Sequence, residues 1–182
     1  DIEYGVSPYT ATGTPTITGT MTNPHNLTGL TPETSYDYYI RADCGGSGTS
    51  TWVGPFTFYT GYCTPSSTDG STYVDNFSTS NGTTNISNLT SGFTTGGYFD
   101  GTAQVVESFA TGAFDFNAEI VGGTAGFAIW IDWNNDLVFD DATEKVFNTT
   151  AYGNGPFTGT ITVPGGASAG DYTMRITTDW NQ

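Results

Sequence analysis

The sequence predicts an all-β protein built from two β-sandwich domains in tandem. Thr, Ser, Gly, Asn and Tyr dominate the composition and 15% of the residues are aromatic, a mixture that favours strands joined by tight turns. Short segments alternate apolar and polar side chains with the period of two that a half-buried strand requires. No segment shows a convincing helical pattern, so a sandwich is the expected architecture.

In the first segment, strands are predicted at 1–6, 14–21, 36–41 and 52–60. The first of these carries Ile2, Tyr4 and Val6 on one face, and the third alternates in the same way. Turn residues then cluster at 60–67, where the alternation stops. We therefore place the domain boundary there and expect domains at 1–60 and 61–182.

In the second segment, strands are predicted at 72–77, 85–89, 113–121, 126–133, 157–163 and 172–178. The strand at 113–121 is apolar on one face, whereas Asp115, Asn117 and Glu119 make the other face polar. The strand at 126–133 is apolar on both faces until Asp132. It should therefore lie in the centre of a sheet and be covered.

The charge balance excludes two classes of partner. The 182 residues hold 18 Asp and Glu against 3 Lys and Arg, for a net charge of −15. Phosphate backbones and anionic membrane surfaces are repelled by such a protein, so we expect no nucleic-acid partner. No apolar run reaches the roughly 18 residues of a membrane span, so we expect no membrane insertion. The chain begins with Asp1 and not with Met, which we interpret as processing or excerption.

A loop rich in oxygen donors carries the strongest functional signal. Side-chain oxygens at the first, third and fifth positions of a curled loop converge on one point, and calcium takes six to eight such oxygens. The backbone carbonyl of Val138 and a carboxylate of Asp140 or Asp141 would add to the shell. The predicted calcium ligands are Asp132, Asn134, Asp136, Val138, Asp141 and Glu144.

This loop departs from a standard EF-hand. Leu137 stands at the sixth position, where Gly is expected, and the closing carboxylate of Glu144 stands at the thirteenth. The alternative interpretation is a polar turn whose Asp and Asn side chains bond their own backbone. We favour calcium, because so many acidic and amide oxygens would repel one another without a cation.

One run of the first segment resembles the E–F region of a fibronectin type III domain. It reads Leu27, Leu30-Thr31-Pro32, Thr34, Tyr36 and Tyr39-Ile40-Arg41-Ala42. The continuation to Gly54-Pro55-Phe56 resembles a variant common in secreted proteins of Bacteroidota. The resemblance implies an immunoglobulin-like, partial domain at 1–60 with strands C to G. Strands A and B would then come from an upstream segment or from another chain. Tyr36 should be buried, with its hydroxyl bonded to backbone near Leu30–Glu33.

The second segment resembles the GEVED domain. The resemblance rests on Tyr62-Cys63-Thr64-Pro65, on Ile129-Trp130-Ile131-Asp132-Trp133-Asn134 with its acidic continuation, and on Thr173-Met174-Arg175-Ile176. It covers most of 62–180 and implies a non-catalytic, jelly-roll-like accessory module of a secreted or surface protein exported by the type IX route. The closing motif of the family and a late Cys partner for Cys63 are lacking, so both domains look truncated. We expect at least one of Cys44 and Cys63 to pair outside this chain.

These observations favour a non-catalytic structural or adhesive module of a large secreted or cell-surface bacterial protein, stabilised by calcium. A carbohydrate-binding or accessory module of a secreted hydrolase or protease is the alternative. Expected partners are neighbouring modules of the same polypeptide, other copies of it and surface glycans. No catalytic residues are predicted, because the carboxylates of Asp115 and Glu119 face solvent together and His25 lies in a turn. The tryptophans are assigned to the core and not to sugar stacking, although Trp133 is ambiguous because it opens the acidic loop.

Overall fold

The computed structural model describes residues 1–20 and 22–179, and the chain divides into two compact units, Asp1–Cys63 and Thr64–Gln182. Ten strands form three antiparallel sheets, and the one helix among the described residues is a single 3₁₀ turn at Gly45–Ser47. The predicted all-β fold class is confirmed. No described helix has the length and apolar character that a membrane crossing needs.

The first unit holds one three-stranded antiparallel sheet. Its strands, in spatial order, are β1 (Ile2–Val6), β2 (Ser35–Ile40) and β3 (Val53–Tyr59). Cross-strand register places alternate apolar side chains of all three strands on one face. Four of these side chains are exposed: Val6, Ile40, Val53 and Phe56. In the described part of this unit, no second sheet covers that face.

The strand predicted at 14–21 is wrong for the residues that the structure describes. Between 14 and 20, strand-like backbone pairing is limited to Ile17, which forms an isolated bridge with Ile2. Pro15 has no backbone N–H to donate to a ladder, and Gly19 has a φ of 59° that ends extended backbone. Met21, the last residue of the predicted strand, lies outside the described residues.

Tyr36 ties the loop before β2 to the strand. Its side chain is buried, and its hydroxyl accepts a hydrogen bond from the backbone N–H of Thr31 at 3.0 Å. The ring stacks on Phe58 with centroids 5.7 Å apart. The expectation of a buried Tyr36 anchored near Leu30–Glu33 is therefore confirmed.

Two buried carboxylates hold the loop that follows β1. Glu3 accepts hydrogen bonds from the hydroxyls of Tyr9 and Thr12, and Asp37 accepts from the Tyr9 backbone and the Thr57 hydroxyl. Burial alone would raise the pKa of Glu3, but the hydrogen bonds from Thr12 and Tyr9 outweigh it and hold the pKa below its usual value. The bond from Thr57, followed by that from Tyr9, lowers the pKa of Asp37. Both carboxylates are thus kept ionised inside the unit.

The second unit packs two antiparallel sheets against each other. The four-stranded sheet has the order β5 (Ser87–Asn88), β4 (Tyr73–Ser80), β6 (Ala113–Val121) and β9 (Phe157–Thr162). The three-stranded sheet has the order β10 (Met174–Asp179), β7 (Gly126–Ile131) and β8 (Lys145–Asn148). Phe116 of one sheet lies 6.2 Å from Phe127 of the other, centroid to centroid. This arrangement fits a β-sandwich.

The core lies between these two sheets and follows the predicted alternation. On β6, Phe114, Phe116, Ala118 and Ile120 are buried, as expected from the sequence. The central position predicted for the 126–133 strand is confirmed, because β7 pairs with both β8 and β10. The strand β8 was not predicted. Its four residues are too few for alternation to be visible in the sequence.

The expectation of core tryptophans is wrong for Trp52 and Trp130. Both are half-buried, and each carries a cation over its ring: Arg41 at 4.6 Å and Lys145 at 5.2 Å from the ring centroid. Trp133 is half-buried but does pack against the core, whereas Trp180 lies outside the described residues. These half-buried indoles therefore keep part of each ring in contact with water.

No disulfide joins Cys44 to Cys63, and both side chains are exposed. Pairing of either cysteine outside this chain stays a prediction.

Candidate metal centre

The acidic loop leaves β7 at Asp132 and returns to β8 after Glu144, so both of its ends are fixed by the three-stranded sheet. The backbone N–H of Asp132 donates to the carbonyl of Thr173 at 3.0 Å. The backbone N–H of Ile131 donates to the carbonyl of Glu144, also at 3.0 Å. The first and last predicted ligands are therefore neighbours across a strand pair, although they are twelve positions apart in the sequence.

The first half of the loop curls around the side chain of Asp132. Its two carboxylate oxygens accept the backbone N–H groups of Asp136, at 3.2 Å, and Leu137, at 3.0 Å. Asn134 accepts from the Asp136 N–H at 2.9 Å, and Asp136 accepts from the Val138 N–H at 2.9 Å. These are the local side-chain-to-backbone bonds expected of a polar turn. The carboxylate of Asp136 accepts one bond at each oxygen, and an ionised carboxylate has about four acceptor sites.

Two residues of this turn adopt left-handed backbone conformations. Asn135 has a φ of 55° and Leu137 a φ of 67°. Asn tolerates this region readily, whereas a leucine pays about 1–2 kcal/mol to adopt it. The sixth position of the loop thus has the conformation for which Gly is favoured, even though the sequence places Leu there.

The second half of the loop fixes Glu144 by reciprocal bonds with Asp140. One carboxylate oxygen of Glu144, Oε2, accepts the backbone N–H of Asp140 at 3.0 Å, and the backbone N–H of Glu144 donates to the Asp140 carbonyl at 3.0 Å. The other oxygen, Oε1, is buried and has no hydrogen-bond partner among the described residues. Burying a carboxylate oxygen without a partner costs free energy. A positively charged neighbour at this atom would offset that cost.

Three carboxylates converge at this point. Oxygen atoms of Asp132, Asp136 and Glu144 all lie within 4.8 Å of one another. Asp132 is 0% exposed and Glu144 is 2% exposed, whereas Asp136 lies at the surface. Ionised carboxylates at this separation repel strongly in a poorly solvated setting. A cation bound between them would remove the repulsion and would supply the partner that Oε1 of Glu144 lacks within the described chain.

The remaining predicted ligands fall into two groups. Asn134 lies beside the cluster, since its amide nitrogen donates to Asp136 Oδ2 at 3.0 Å, and Val138 is held there through its backbone N–H. Asp141 is directed elsewhere: it accepts from Trp130 Nε1 at 2.9 Å and pairs with Lys145 at 2.9 Å. The bonds from Lys145 and then Trp130 hold the pKa of Asp141 below its usual value.

Asp140 also forms hydrogen bonds within its own turn. Its Oδ1 accepts from the Ala142 backbone and from the backbone and hydroxyl of Thr143. The hydroxyl of Thr143 and these backbone groups lower the pKa of Asp140. Asp140 therefore shapes the turn that presents Glu144, a role that the spacing of oxygen donors in the sequence does not indicate.

A comparison with protein families identifies the segment that carries this loop. Residues 126–182 match the GEVED domain. The GEVED match begins at the first residue of β7 and includes the whole acidic loop, β8 and β9. The matched segment does not include β4 to β6, so it covers less of the chain than the resemblance over 62–180. The match does not reach the first unit, so the fibronectin type III interpretation of 1–60 stays a prediction. No curated protein and no solved structure matches this chain.

Proposed function

We propose that this chain is a non-catalytic β module of a larger secreted or cell-surface protein, and that calcium stabilises its second unit. The observation that carries the proposal is the buried Oε1 of Glu144, which has no hydrogen-bond partner in the described part of the chain and belongs to a cluster with Asp132 and Asp136. Burying such a carboxylate without compensation would cost several kcal/mol. A bound divalent cation offsets that cost.

The donor set fits calcium better than magnesium or a transition metal. Every candidate ligand is a hard oxygen, from three carboxylates, the Asn134 amide and the Val138 carbonyl, and calcium takes six to eight oxygens in a flexible geometry. Magnesium would require a tighter octahedron and would keep more water. Copper, nickel and zinc favour imidazole or thiolate ligands. Bound calcium would offset most of the carboxylate charge and fix the loop between β7 and β8.

A non-catalytic role is supported by the bonds of the other candidate acids. Asp115 accepts from the hydroxyl of Thr160 and from the amide of Asn81, and Glu119 accepts from Asn76. These bonds tie neighbouring strands of the four-stranded sheet together. Such carboxylates stabilise the sheet surface and are not arranged as a general acid and base.

For the first unit we propose a partial fibronectin type III domain. The Tyr36 hydroxyl bonded to Thr31 supports this, as does the sheet order β1-β2-β3, which corresponds to the order C, F, G of that fold. Its exposed apolar face would be covered by a neighbouring module of the same polypeptide or by another copy. Together with the acidic surface, this favours a structural or adhesive segment of a large extracellular protein. The proposal that the protein belongs to Bacteroidota and is exported by the type IX route rests on the sequence resemblance alone.

The test is calcium binding by the intact chain. Isothermal titration calorimetry should detect one calcium site that magnesium fills poorly, and thermal unfolding should move to higher temperature in calcium than in chelator. Asp136→Ala should remove both effects. Asp171→Ala is the matched control, because Asp171 is also an exposed aspartate of the second unit but lies outside the cluster. A chain whose unfolding ignores calcium and chelator alike would contradict the proposal and leave the loop as a polar turn.

A further inference from the structure

A groove opens beside the acidic cluster. Its volume is about 360 Å³, within the range of small-molecule sites. Two of the candidate calcium ligands, Asn134 and Glu144, line the groove. Trp133, Thr143, Gly166 and Ala167 supply other parts of the lining. A cation held by the cluster would therefore lie next to a space large enough for a ligand.

We propose that this groove binds a neutral sugar ring through the calcium ion, with two adjacent sugar hydroxyls completing the coordination shell and the Trp133 indole contacting the ring. The inference rests on the proposed calcium site. The calcium ion would then bind a sugar ligand in addition to stabilising the loop.

The coordination count leaves room for such a ligand. The candidate protein ligands are five residues, namely Asp132, Asn134, Asp136, Glu144 and the Val138 carbonyl. Calcium takes six to eight oxygens, so one oxygen from each residue leaves one to three positions. Two adjacent hydroxyls supply two hard oxygen ligands at a spacing that one cation can accept. Water alone is the competing occupant of these positions.

The charge of the site selects a neutral ligand over an anion. Three carboxylates against the charge of one calcium ion leave a net charge of about −1 at the cluster. A phosphate or carboxylate ligand would meet that negative charge in addition to the acidic surface of the whole chain. Hydroxyl groups meet no such repulsion.

Trp133 supplies the apolar contact that a sugar ring requires. Its ring packs 5.3 Å from Tyr172, centroid to centroid, which fixes its orientation. It remains only partly buried and lines the groove. An indole held in place by packing presents apolar surface at little entropic cost.

The first experiment uses the full chain and two sugar probes. Methyl α-D-mannopyranoside has free adjacent hydroxyls, and its fully O-methylated derivative has none. At the ligand efficiency typical of small ligands, the free glycoside should bind with a Kd on the order of 1 mM. Two-dimensional NMR in calcium should show saturable shifts at residues of the groove for the free glycoside only, and chelator should abolish them.

The second experiment separates the sugar site from the calcium site. At Gly166 an added Cβ would meet no described atom within 4 Å, so Gly166→Phe fills the groove without a backbone clash. This variant should weaken glycoside binding at least about tenfold and leave the calcium Kd within about twofold. Gly170→Phe is the control, because its Cβ would also have no described neighbour within 4 Å and it does not line the groove. It should change neither affinity.

The outcomes distinguish the two proposals. A chain that binds no calcium overturns both. A chain that binds calcium but shows no glycoside shifts overturns the sugar site alone and leaves water in the open positions. Glycoside binding that persists in chelator, or that survives Gly166→Phe unchanged, also overturns it.

Discussion

Replacing Glu144 by Gln should have opposite effects with and without calcium. The side chain keeps its size and its ability to accept the Asp140 N–H through one oxygen. It loses a negative charge that lies within 4.8 Å of the Asp132 carboxylate. Because both side chains are buried, water screens the repulsion between these two carboxylates poorly.

The effect of Glu144→Gln on stability without calcium can be calculated from the distance between the Glu144 and Asp132 carboxylates. Two unit charges 4.8 Å apart repel by about 3.5 kcal/mol at an effective dielectric constant of about 20. The backbone N–H groups that both carboxylates accept offset part of this. We therefore expect Glu144→Gln to raise the free energy of unfolding in chelator by about 1–2 kcal/mol, or the Tm by roughly 4–10 °C.

In calcium, the natural chain should be more stable than Glu144→Gln, the reverse of the order in chelator. With a Kd on the order of 10⁻⁴ M, as in extracellular calcium modules, about 10 mM calcium would stabilise the natural chain by about 2.7 kcal/mol. A variant that binds roughly 100-fold more weakly would gain less than about 0.5 kcal/mol. Thermal unfolding by circular dichroism, with and without calcium, measures both values. If Glu144→Gln lowers the Tm equally in chelator and in calcium, Glu144 is a structural hydrogen-bonding residue and the metal reasoning fails.

Three further predictions concern other parts of the chain. Leu137→Val should destabilise the second unit by about 1–2 kcal/mol in urea unfolding, because a β-branched residue tolerates a positive φ poorly. Leu137→Asn should instead stabilise it by up to about 1 kcal/mol, because Asn adopts that conformation readily. Equal effects of the two substitutions would argue against the left-handed turn. Asp141→Asn should leave the calcium Kd within about threefold, because Asp141 bonds Trp130 and not the cluster, and a larger loss in calorimetry would restore it as a ligand. Glu3 and Asp37 have lowered pKa values in the folded chain, so their stabilisation is present above the ordinary values of 4.5 and 3.8 and disappears as the pH falls through the lower folded values. NMR signals of the first unit should therefore be lost on acidification in that range, and signals that persist in strong acid would show that these carboxylates contribute little.

The first unit shows that a local pattern can place a side chain on the correct face and still miss its burial. Alternation assigns Asp37 to the face opposite Tyr36, which is correct. It gives no hint that the loop after β1 folds over that face and buries the carboxylate against Tyr9 and Thr57. A substitution at Asp37 would consequently remove buried hydrogen bonds to Tyr9 and Thr57.

What the sequence determined by itself is local. The alternation in Ala113–Val121 and the two-sided apolar run that begins at Gly126 specify strands and their buried faces, because a side-chain period of two is a property of one strand. The spacing of Asp132, Asn134 and Asp136 likewise specifies a curled loop of oxygen donors within a few residues.

The tertiary structure decided which distant groups meet. Pairing of β7 with the short strand β8 brings Glu144 to Asp132, and the same turn directs Asp141 to Trp130 and Lys145. The buried Oε1 of Glu144 is thereby brought to the carboxylate cluster. Periodicity and loop spacing report only on neighbours along the chain, whereas the register of strands far apart in sequence is set by the packing of the whole core.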